Sequence, residues 1–156
     1  MPRRPPRLPP LMAEFDDDER EAVLAANRAF YRAFTNRDYA AMEQIWAPSG
    51  AMVCLHPGQG PLHERADILR SWQGILGHPE SPRVRCTDEW VVGRGGLAIV
   101  VCREILANGQ LMATNTFVRL SHGWHMVGHH SGPVPSVERR PAASAAAATP
   151  DRRKLH

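Results

Sequence analysis

The sequence has no apolar run near the roughly 18 residues that a membrane-spanning helix requires. Its opening segment, residues 1–12, is rich in proline and arginine and contains no apolar signal segment. These absences predict a cytoplasmic protein that neither spans nor binds a membrane.

Cysteine is also scarce, and the three thiols, Cys54, Cys86 and Cys102, form neither an even set nor a C-x-x-C motif. The first absence argues against a disulfide framework, and the second argues against a dithiol redox motif. Cys54 and His56 could supply two metal ligands from one strand face, but no second closely spaced pair completes a tetrahedral set. We therefore expect reduced, buried thiols, no metal and no cofactor.

The central part of the chain lacks a net positive charge. The whole sequence has a net charge of +3, but residues 1–12 and residues 137–156 each contribute +3, which leaves −3 on the residues between them. A nucleic-acid-binding domain needs basic residues gathered on a folded face. We therefore expect no nucleic-acid partner.

The composition is that of one globular domain, because 156 residues with 43% hydrophobic and 22% charged side chains suffice for a single core. Residues 1–14 are rich in proline and arginine, and residues 137–156 are rich in alanine and arginine without an apolar stripe. Neither composition favours a packed element. We expect two disordered segments around a domain at residues 15–136.

Three helices are predicted in the first half of this domain. The first covers residues 17–36 and begins with a capping-box pattern. Asp38 caps a short second helix that ends before Pro48, and a third helix covers residues 64–76. Between the last two, a short strand at residues 51–55 runs directly into a proline–glycine turn.

The second half predicts a four-stranded antiparallel meander. Residues 83–131 contain four apolar or alternating runs separated by glycine-bearing breaks at residues 94–96, 108–109 and 122–123. The middle break is the Asn-Gly pair that is favoured where both central turn residues need a positive φ. Helices followed by such a meander indicate an α+β fold.

The strand at residues 97–106 is apolar on both faces apart from Arg103 and Glu104, which point in opposite directions. A strand whose two faces are both apolar must be shielded from water on both sides. Helices can pack on one face, and a second copy of the chain can pack on the other. We therefore predict a homodimer through the outer sheet face. Each charged side chain is costly to bury unpaired, so one could pair across the dimer while the other enters a pocket.

Six short motifs occur in order on these elements: Asn27-x-x-Phe30-Tyr31-x-Ala33-Phe34, Trp46-Ala47, Cys54-x-His56-Pro57-Gly58, Ser71-Trp72, Ala113-Thr114-Asn115-x-Phe117 and Trp124-x-Met126-Val127-x-His129-His130-Ser131. Together they resemble the SnoaL-like branch of the nuclear transport factor two (NTF2-like) superfamily.

This resemblance implies a cystatin-like α+β cone. A strongly curved antiparallel sheet would wrap around a long N-terminal helix, with two further helices, and leave a pocket at its open end. The resemblance also implies frequent dimerisation through the outer sheet face. Members of the superfamily include cyclases, isomerases, epoxide hydrolases, dehydratases and non-catalytic domains, so the fold does not select a reaction.

His56 is the first candidate for chemistry because it follows a strand and precedes a turn. This placement fixes an imidazole at the rim or floor of a cavity, where a pKa near neutrality suits proton transfer. The alternative is that His56 hydrogen-bonds the turn and orders the loop.

His129 and His130 point to opposite faces of one strand, so at most one of them lines the pocket. Strict alternation places His130 on the face of Trp124 and Met126, which would form an apolar wall with it. We therefore expect His130, paired with His56, to handle protons.

Two amides are candidates for orienting a carbonyl or hydroxyl group of a ligand. Asn27 lies in the apolar stripe of the first helix, where it either contacts a ligand or ties the helix to the sheet. Asn115 could contact a ligand or make a cross-strand hydrogen bond. The apolar and aromatic members of the predicted binding site are Tyr31, Trp46, Trp72, Phe117 and Trp124.

Two functional hypotheses follow. The first is a cofactor-independent acid–base enzyme of the isomerase, cyclase or dehydratase type that acts on a mostly apolar metabolite. The second is a ligand-binding or dimeric assembly module of the same fold, in which the polar residues satisfy one another. Histidines that open into a common cavity would favour the enzyme.

Overall fold

The computed structural model describes residues 15–134, and the two segments that we expect to be disordered lie outside the described residues. Within those residues the elements are α1 (Asp17–Thr35), α2 (Tyr39–Ile45), β1 (Val53–Leu55), α3 (Arg65–Gly77), β2 (Arg85–Arg94), β3 (Leu97–Leu106), β4 (Gly109–Leu120) and β5 (Gly123–Pro133). The predicted order of helix, helix, strand, helix and four-stranded meander is observed. In the described part of the chain, no helix is both long enough and apolar enough to cross a membrane.

The helix starts follow from local chemistry. The Asp16 carboxylate accepts a hydrogen bond from the Glu19 backbone N–H at 2.8 Å, and the Glu19 side chain accepts one from the Asp16 N–H, which completes a capping box. Asp38 caps α2 by accepting a bond from the Ala41 N–H at 3.0 Å. These bonds satisfy N–H groups that the first turn of a helix leaves without partners.

The sheet has the strand order β1-β5-β4-β3-β2. Strands β2 to β5 pair antiparallel as a meander, and the short β1 pairs in parallel with β5. The inner sheet face packs on α1 and α3, whose largest buried rings are Phe30 and Trp72, with centroids 5.3 Å apart. The predicted cystatin-like α+β fold is thereby confirmed.

The inner face has two ends that differ in packing. At the packed end, α2 leads into Trp46, whose neighbour Ala47 donates its N–H to Met126 O at 2.9 Å, and Phe15 meets Trp124 edge to face. At the open end, α1 finishes at Thr35, whose hydroxyl donates to Val84 O at 2.8 Å. The candidate site lies at this open end.

Arg103 and Glu104 do point in opposite directions. Arg103 Nε lies 3.2 Å from Asp88 Oδ2 of the same chain, where β2 is irregular and Asp88 adopts a φ of 54°. Glu104 is only 3% exposed and points inward. The charge on the outer side is thus partnered within its own chain, whereas the inner one contributes to the site.

Candidate functional site

A cavity of about 220 Å³ opens between the C-terminal half of α1, the loop after β1, α3 and the inner sheet face. We call it the cone cavity, and its lining residues are Phe34, His56, Pro57, Gln59, Trp72, Ile75, Pro82, Val84, Glu104, Leu106, Leu111, His129 and Ser131. Its walls are mainly apolar, with a few convergent polar groups, which is the usual make-up of a small-molecule site.

His56 lies at the base of the turn after β1, as the sequence predicts, and its side chain is buried. Its Nε2 lies 2.9 Å from Ser71 Oγ, and the Ser71 hydroxyl donates to Ile68 O at 2.7 Å. Because that hydroxyl proton is used, His56 Nε2–H is the donor to Ser71, and Nδ1 carries the free lone pair. Burial lowers the pKa of His56, so the ring is neutral near pH 7.

His129 is the second imidazole of the cone cavity. Its Nδ1 lies 2.6 Å from Asn115 Oδ1, an acceptor, so Nδ1 carries the proton and Nε2 the lone pair. The ring packs against Phe30 and Trp72, and its centroid lies 6.3 Å from that of His56. Burial, with smaller effects from the charges of His56 and His130, lowers the pKa of His129 to about 3. Two neutral imidazoles therefore share one cavity.

Behind His129, a buried polar network fixes its orientation. Asn115 Nδ2 donates to Asn27 Oδ1 at 2.8 Å and to Tyr31 OH at 3.1 Å, so its oxygen is the atom that faces His129. Asn27 and Asn115 are fully buried, and neither they nor Tyr31 lines the cone cavity. The three predicted binding residues therefore lie behind the wall and position His129, with Asn27 tying α1 to the sheet.

Glu104 supplies the acidic group of the site. Tyr31 OH donates to Glu104 Oε1 at 2.8 Å, and the Ser131 hydroxyl donates to Oε2. Burial raises the pKa of Glu104, while these two hydrogen bonds act in the opposite direction. In the sequence, Glu104 is noticeable because a charged residue interrupts an apolar strand. The only sequence signal for Ser131 is that it shares a strand face with His129.

The expectation that His130 lines the pocket is wrong. His130 is exposed on the outer face, whereas His129 is 2% exposed and lines the cavity. The reason is a bulge: Thr116 pairs with Gly128 and Phe117 with Met126, which leaves Val127 as an extra residue on β5. Alternation therefore restarts, so Met126 and His129 face inward together.

The predicted aromatic wall is only partly assembled at the cavity. Trp72 lines it and is fully buried. Trp46 and Phe117 are buried in the core without lining it, and Trp124 lies at the packed end, 6.0 Å from Phe15. Because these residues are large and apolar, the sequence predicts that they are buried. Whether they line the cavity depends on the register of the sheet.

Beside the cone cavity lies an open groove of about 560 Å³ along α3, which we call the entrance groove. His56, Gln59, Ile75 and Pro82 line both spaces, so the two adjoin. The groove adds Arg70, His78 and Glu80 to its lining and is therefore more polar than the cavity. Among residues 15–134, no group of three or more histidine, cysteine or acidic side chains is arranged to hold a metal ion.

Known protein structures are similar to this chain in fold. A solved structure of a candidate dehydratase of the NTF2-like family from Streptomyces avermitilis has a TM-score of 0.70 and 30% sequence identity, over 76% of this chain and 97% of that one. A candidate calcium/calmodulin-dependent protein kinase type II association domain from Thiobacillus denitrificans has a TM-score of 0.66 and 29% identity, over 72% and 94% of the two chains.

Sequence comparison adds a similar protein and a matching family model. The F-box protein SKIP8 from Arabidopsis thaliana is 24% identical over 119 residues, which are 70% of this chain but only 48% of that protein, so the chain spans about half the length of this curated relative. The family model of the SnoaL-like domain matches residues 23–135, which include every residue of the cone cavity. With the fold, the cavity and the family model in agreement, the chain belongs to the SnoaL-like family of the NTF2-like superfamily.

Proposed function

We propose that the protein is a cofactor-independent acid–base enzyme that dehydrates or isomerises a mostly apolar small molecule. The observation that carries this proposal is the convergence of His56, His129 and Glu104 on one cavity with apolar walls. Pairs of titratable groups whose environments shift their pKa values in different directions are typical of acid–base sites.

His56 is the base in this proposal. Its Nδ1 has a free lone pair, because Nε2 is bound to Ser71, and its ring is neutral near pH 7. His56 lines the entrance groove as well as the cavity, so a proton taken from the substrate has a short route to water. His129, which is deeply buried and resists protonation, is better placed to accept a hydrogen bond from a substrate hydroxyl.

Glu104 is the acid in this proposal. Burial allows its carboxyl group to hold a proton at a higher pH than an exposed glutamate does. In a dehydration, His56 Nδ1 takes a proton from a carbon atom, the neighbouring C–O bond breaks, and Glu104 protonates the departing hydroxyl, which leaves as water. Tyr31 and Ser131 then stabilise the carboxylate.

The walls define the substrate class. A volume of about 220 Å³ lies below the roughly 300–1,000 Å³ of pockets for drug-sized ligands. We therefore propose that a compact apolar group bearing a hydroxyl or carbonyl occupies the cavity. A more polar remainder of the substrate would lie in the entrance groove.

The test is a panel of small cyclic β-hydroxy carbonyl compounds incubated with the purified protein. Formation of a conjugated product is followed by absorbance, and exchange of the substrate α-proton with deuterated solvent is followed by NMR. Turnover or exchange that is lost in both His56→Gln and Glu104→Gln, but retained in His130→Gln, supports the proposal. Compounds that raise the melting temperature without turnover or exchange would favour a binding protein.

A second candidate function is dimeric assembly. Trp90, Val92 and Leu97 are 67%, 50% and 42% exposed, and they alternate with buried Val91 and Ala98, so they point away from the helices. Exposed apolar groups of this size are typical of interaction sites. The similar structure from Thiobacillus denitrificans carries the description of an association domain.

We propose that a second copy of the chain covers this outer face, in addition to the catalytic role. Sedimentation should show a dimer at micromolar concentration that dissociates in a Trp90→Ser variant with an unchanged fold. A wild-type monomer at that concentration would exclude the dimer.

A further inference from the structure

The buried polar network reaches the cone cavity at two points. His129 and Glu104 line the cavity, whereas Asn115 and Tyr31 lie behind its wall and connect them. His129 Nδ1 lies 2.6 Å from Asn115 Oδ1. Asn115 Nδ2 lies 3.1 Å from Tyr31 OH, which lies 2.8 Å from Glu104 Oε1. We call these four residues the relay.

Every hydrogen bond of the relay points towards the carboxyl group. His129 donates to the Asn115 oxygen, and the Asn115 amide donates to the Tyr31 oxygen. Tyr31 then donates its only proton to Glu104. The direction is fixed at Asn115, because its second amide hydrogen is bound by Asn27 Oδ1 at 2.8 Å. Hydrogen bonds that point one way polarise one another, so a negative charge at the end strengthens each bond before it.

We propose that the relay couples the charge of Glu104 to the hydrogen-bonding strength of His129, with Tyr31 and Asn115 as positioning residues through which the coupling acts. An ionised Glu104 attracts the Tyr31 hydroxyl proton more strongly than a protonated one does. The polarisation passes through Asn115 to His129 Nδ1–H, and the lone pair on His129 Nε2 becomes a stronger acceptor. Protonation of Glu104 weakens that acceptor.

The consequence of this coupling for catalysis rests on the proposed function. In the proposed dehydration, Glu104 gives its proton to the departing hydroxyl, which thereby becomes a better hydrogen-bond donor to His129 Nε2. The carboxylate formed in the same step strengthens that acceptor through the relay. Interactions that are stronger in the transition state than in the ground state raise kcat. Tyr31 and Asn115 therefore contribute to the chemical step without touching the substrate.

Other titratable groups lie near the relay and have to be separated from Glu104. They are two histidines and three thiols, namely His56, His130, Cys54, Cys86 and Cys102. In the described part of the chain, the Glu104 carboxylate accepts hydrogen bonds from Tyr31 and Ser131 alone. Burial and the charge of Glu104 raise the pKa of Tyr31, so its phenol stays protonated during a titration of Glu104. A Glu104→Gln variant retains all the other groups, so its difference from the wild type isolates Glu104.

The experiment is an NMR titration of the full chain without substrate. Histidine labelled with ¹⁵N reports on the His129 ring, and glutamate labelled with ¹³C reports on the ionisation of Glu104. Burial raises the pKa of Glu104 above its usual 4.5, whereas the pKa of His129 is about 3, so His129 stays neutral as Glu104 ionises.

The expected result in the wild type is a downfield movement of the His129 Nδ1–H proton resonance as the pH rises, because its hydrogen bond strengthens. The midpoint of this movement should equal that of the Glu104 carboxyl carbon. Glu104→Gln should lose the movement.

Two variants separate the relay from an effect of charge through space. Tyr31→Phe and Ser131→Ala each remove one hydroxyl donor from Glu104, so each should raise its midpoint. Only Tyr31→Phe interrupts the relay, and it leaves the other bonds of Asn115 in place. The His129 movement should be lost in Tyr31→Phe and retained in Ser131→Ala, at the raised midpoint.

Kinetics supply a second measurement for any compound that the protein turns over. Tyr31→Phe should lower kcat roughly tenfold or more with KM little changed, as expected for one hydrogen bond to a group that becomes charged in the transition state. A protein that turns over no compound would contradict the proposed function, but the NMR titration tests the relay without a substrate.

Two results would overturn the relay. One is a His129 resonance in the wild type that does not respond to the ionisation of Glu104, and this result needs no variant. The other is a response in Tyr31→Phe equal to that in the wild type, because the charge would then act through space.

Discussion

At the packed end of the cone, β4 and β5 present Phe117 and Met126, both fully buried, whereas at the open end the same strands present Asn115, His129 and Ser131. The packed end consists of apolar side chains and contributes the usual free energy of burial. The open end buries polar groups, each of which is costly unless it is hydrogen-bonded. Its network of bonds offsets that cost and leaves an imidazole facing a cavity.

The two ends meet at the extra residue Val127. If β5 alternated strictly, Met126 and His130 would share a face, and His129 would lie outside. The bulge allows one strand to place an apolar side chain and, three residues later, an imidazole on the same face. Bulges near functional sites commonly redirect a side chain in this way.

The largest expected difference between the two ends is in catalysis. His56→Gln keeps a group that can bond to Ser71 but removes the titrating ring, so turnover should fall roughly 10²- to 10⁴-fold. The free energy of unfolding should change by about 1 kcal/mol or less. Steady-state rates and urea unfolding measure the two effects, with His130→Gln as the control. Full activity in His56→Gln, or its failure to fold, would show that His56 is not the base.

At the packed end the corresponding change should affect stability instead. Phe117→Ala removes a fully buried ring, and the free energy of unfolding should fall by about 3–5 kcal/mol. Thr114→Ala, at an exposed position of the same strand, should change it by about 0.5 kcal/mol or less. Urea unfolding of both variants provides the measurement. Similar losses in the two variants would contradict the assignment of inner and outer faces.

His129 and His130 provide a matched pair for the pH dependence of stability. The pKa of His129 is about 3 in the folded protein against a usual 6.5, so the unfolded chain binds more protons below pH 6.5 and stability falls as the pH drops. By about pH 4.5 this loss should be on the order of 3 kcal/mol. His129→Asn should lack it, whereas His130→Asn should retain most of it.

Glu104 acts in the opposite direction, because its raised pKa gives stability that is present at low pH and lost above its usual value of 4.5. Its contribution is common to the wild type and both histidine variants, so differences between their unfolding curves isolate the histidines. If His130→Asn rather than His129→Asn removes the acid destabilisation, the assignment of faces on β5 is incorrect.

The smallest expected effect concerns the bulge itself. A Cβ at position 128 would lie 3.1 Å from Cβ and Oγ1 of Thr116, so Gly128→Ala should lower the free energy of unfolding by about 1 kcal/mol. Gly132→Ala meets no atom within 4 Å and should be neutral or slightly stabilising. Thermal unfolding compares the two. A stabilised Gly128→Ala variant would show that this close approach is unnecessary.

Much of the fold could be predicted because its signals are local. The capping box at Asp16 and the helical periodicity depend on neighbours within a few residues, and the helices that they predict are observed. The hairpin predicted at Asn108-Gly109 is also observed, but Leu106 pairs with Gly109, so the turn residues are 107 and 108, and neither Asn108 nor Gly109 has the positive φ that the pair predicts. His56 was identified for the same reason, since a strand end followed by proline and glycine is a local pattern.

The membership of the cavity was harder to predict because it depends on register. Asn27, Tyr31 and Asn115 were recognised as polar groups in apolar surroundings, but their positions behind His129 follow from helix–sheet packing. Trp124 is a residue type that is common in pockets, but it lies at the packed end. Glu104 was a visible interruption of an apolar strand, but its role required its partners Tyr31 and Ser131.

The sequence by itself determined the element order and the burial of the aromatic stripes, because periodicity and turn chemistry act over short distances. Only the tertiary structure decided which histidine faces the cavity. One extra residue in a strand inverts the facing of every later side chain, and that extra residue is defined by the pairing of β5 with β4 rather than by neighbours along the chain.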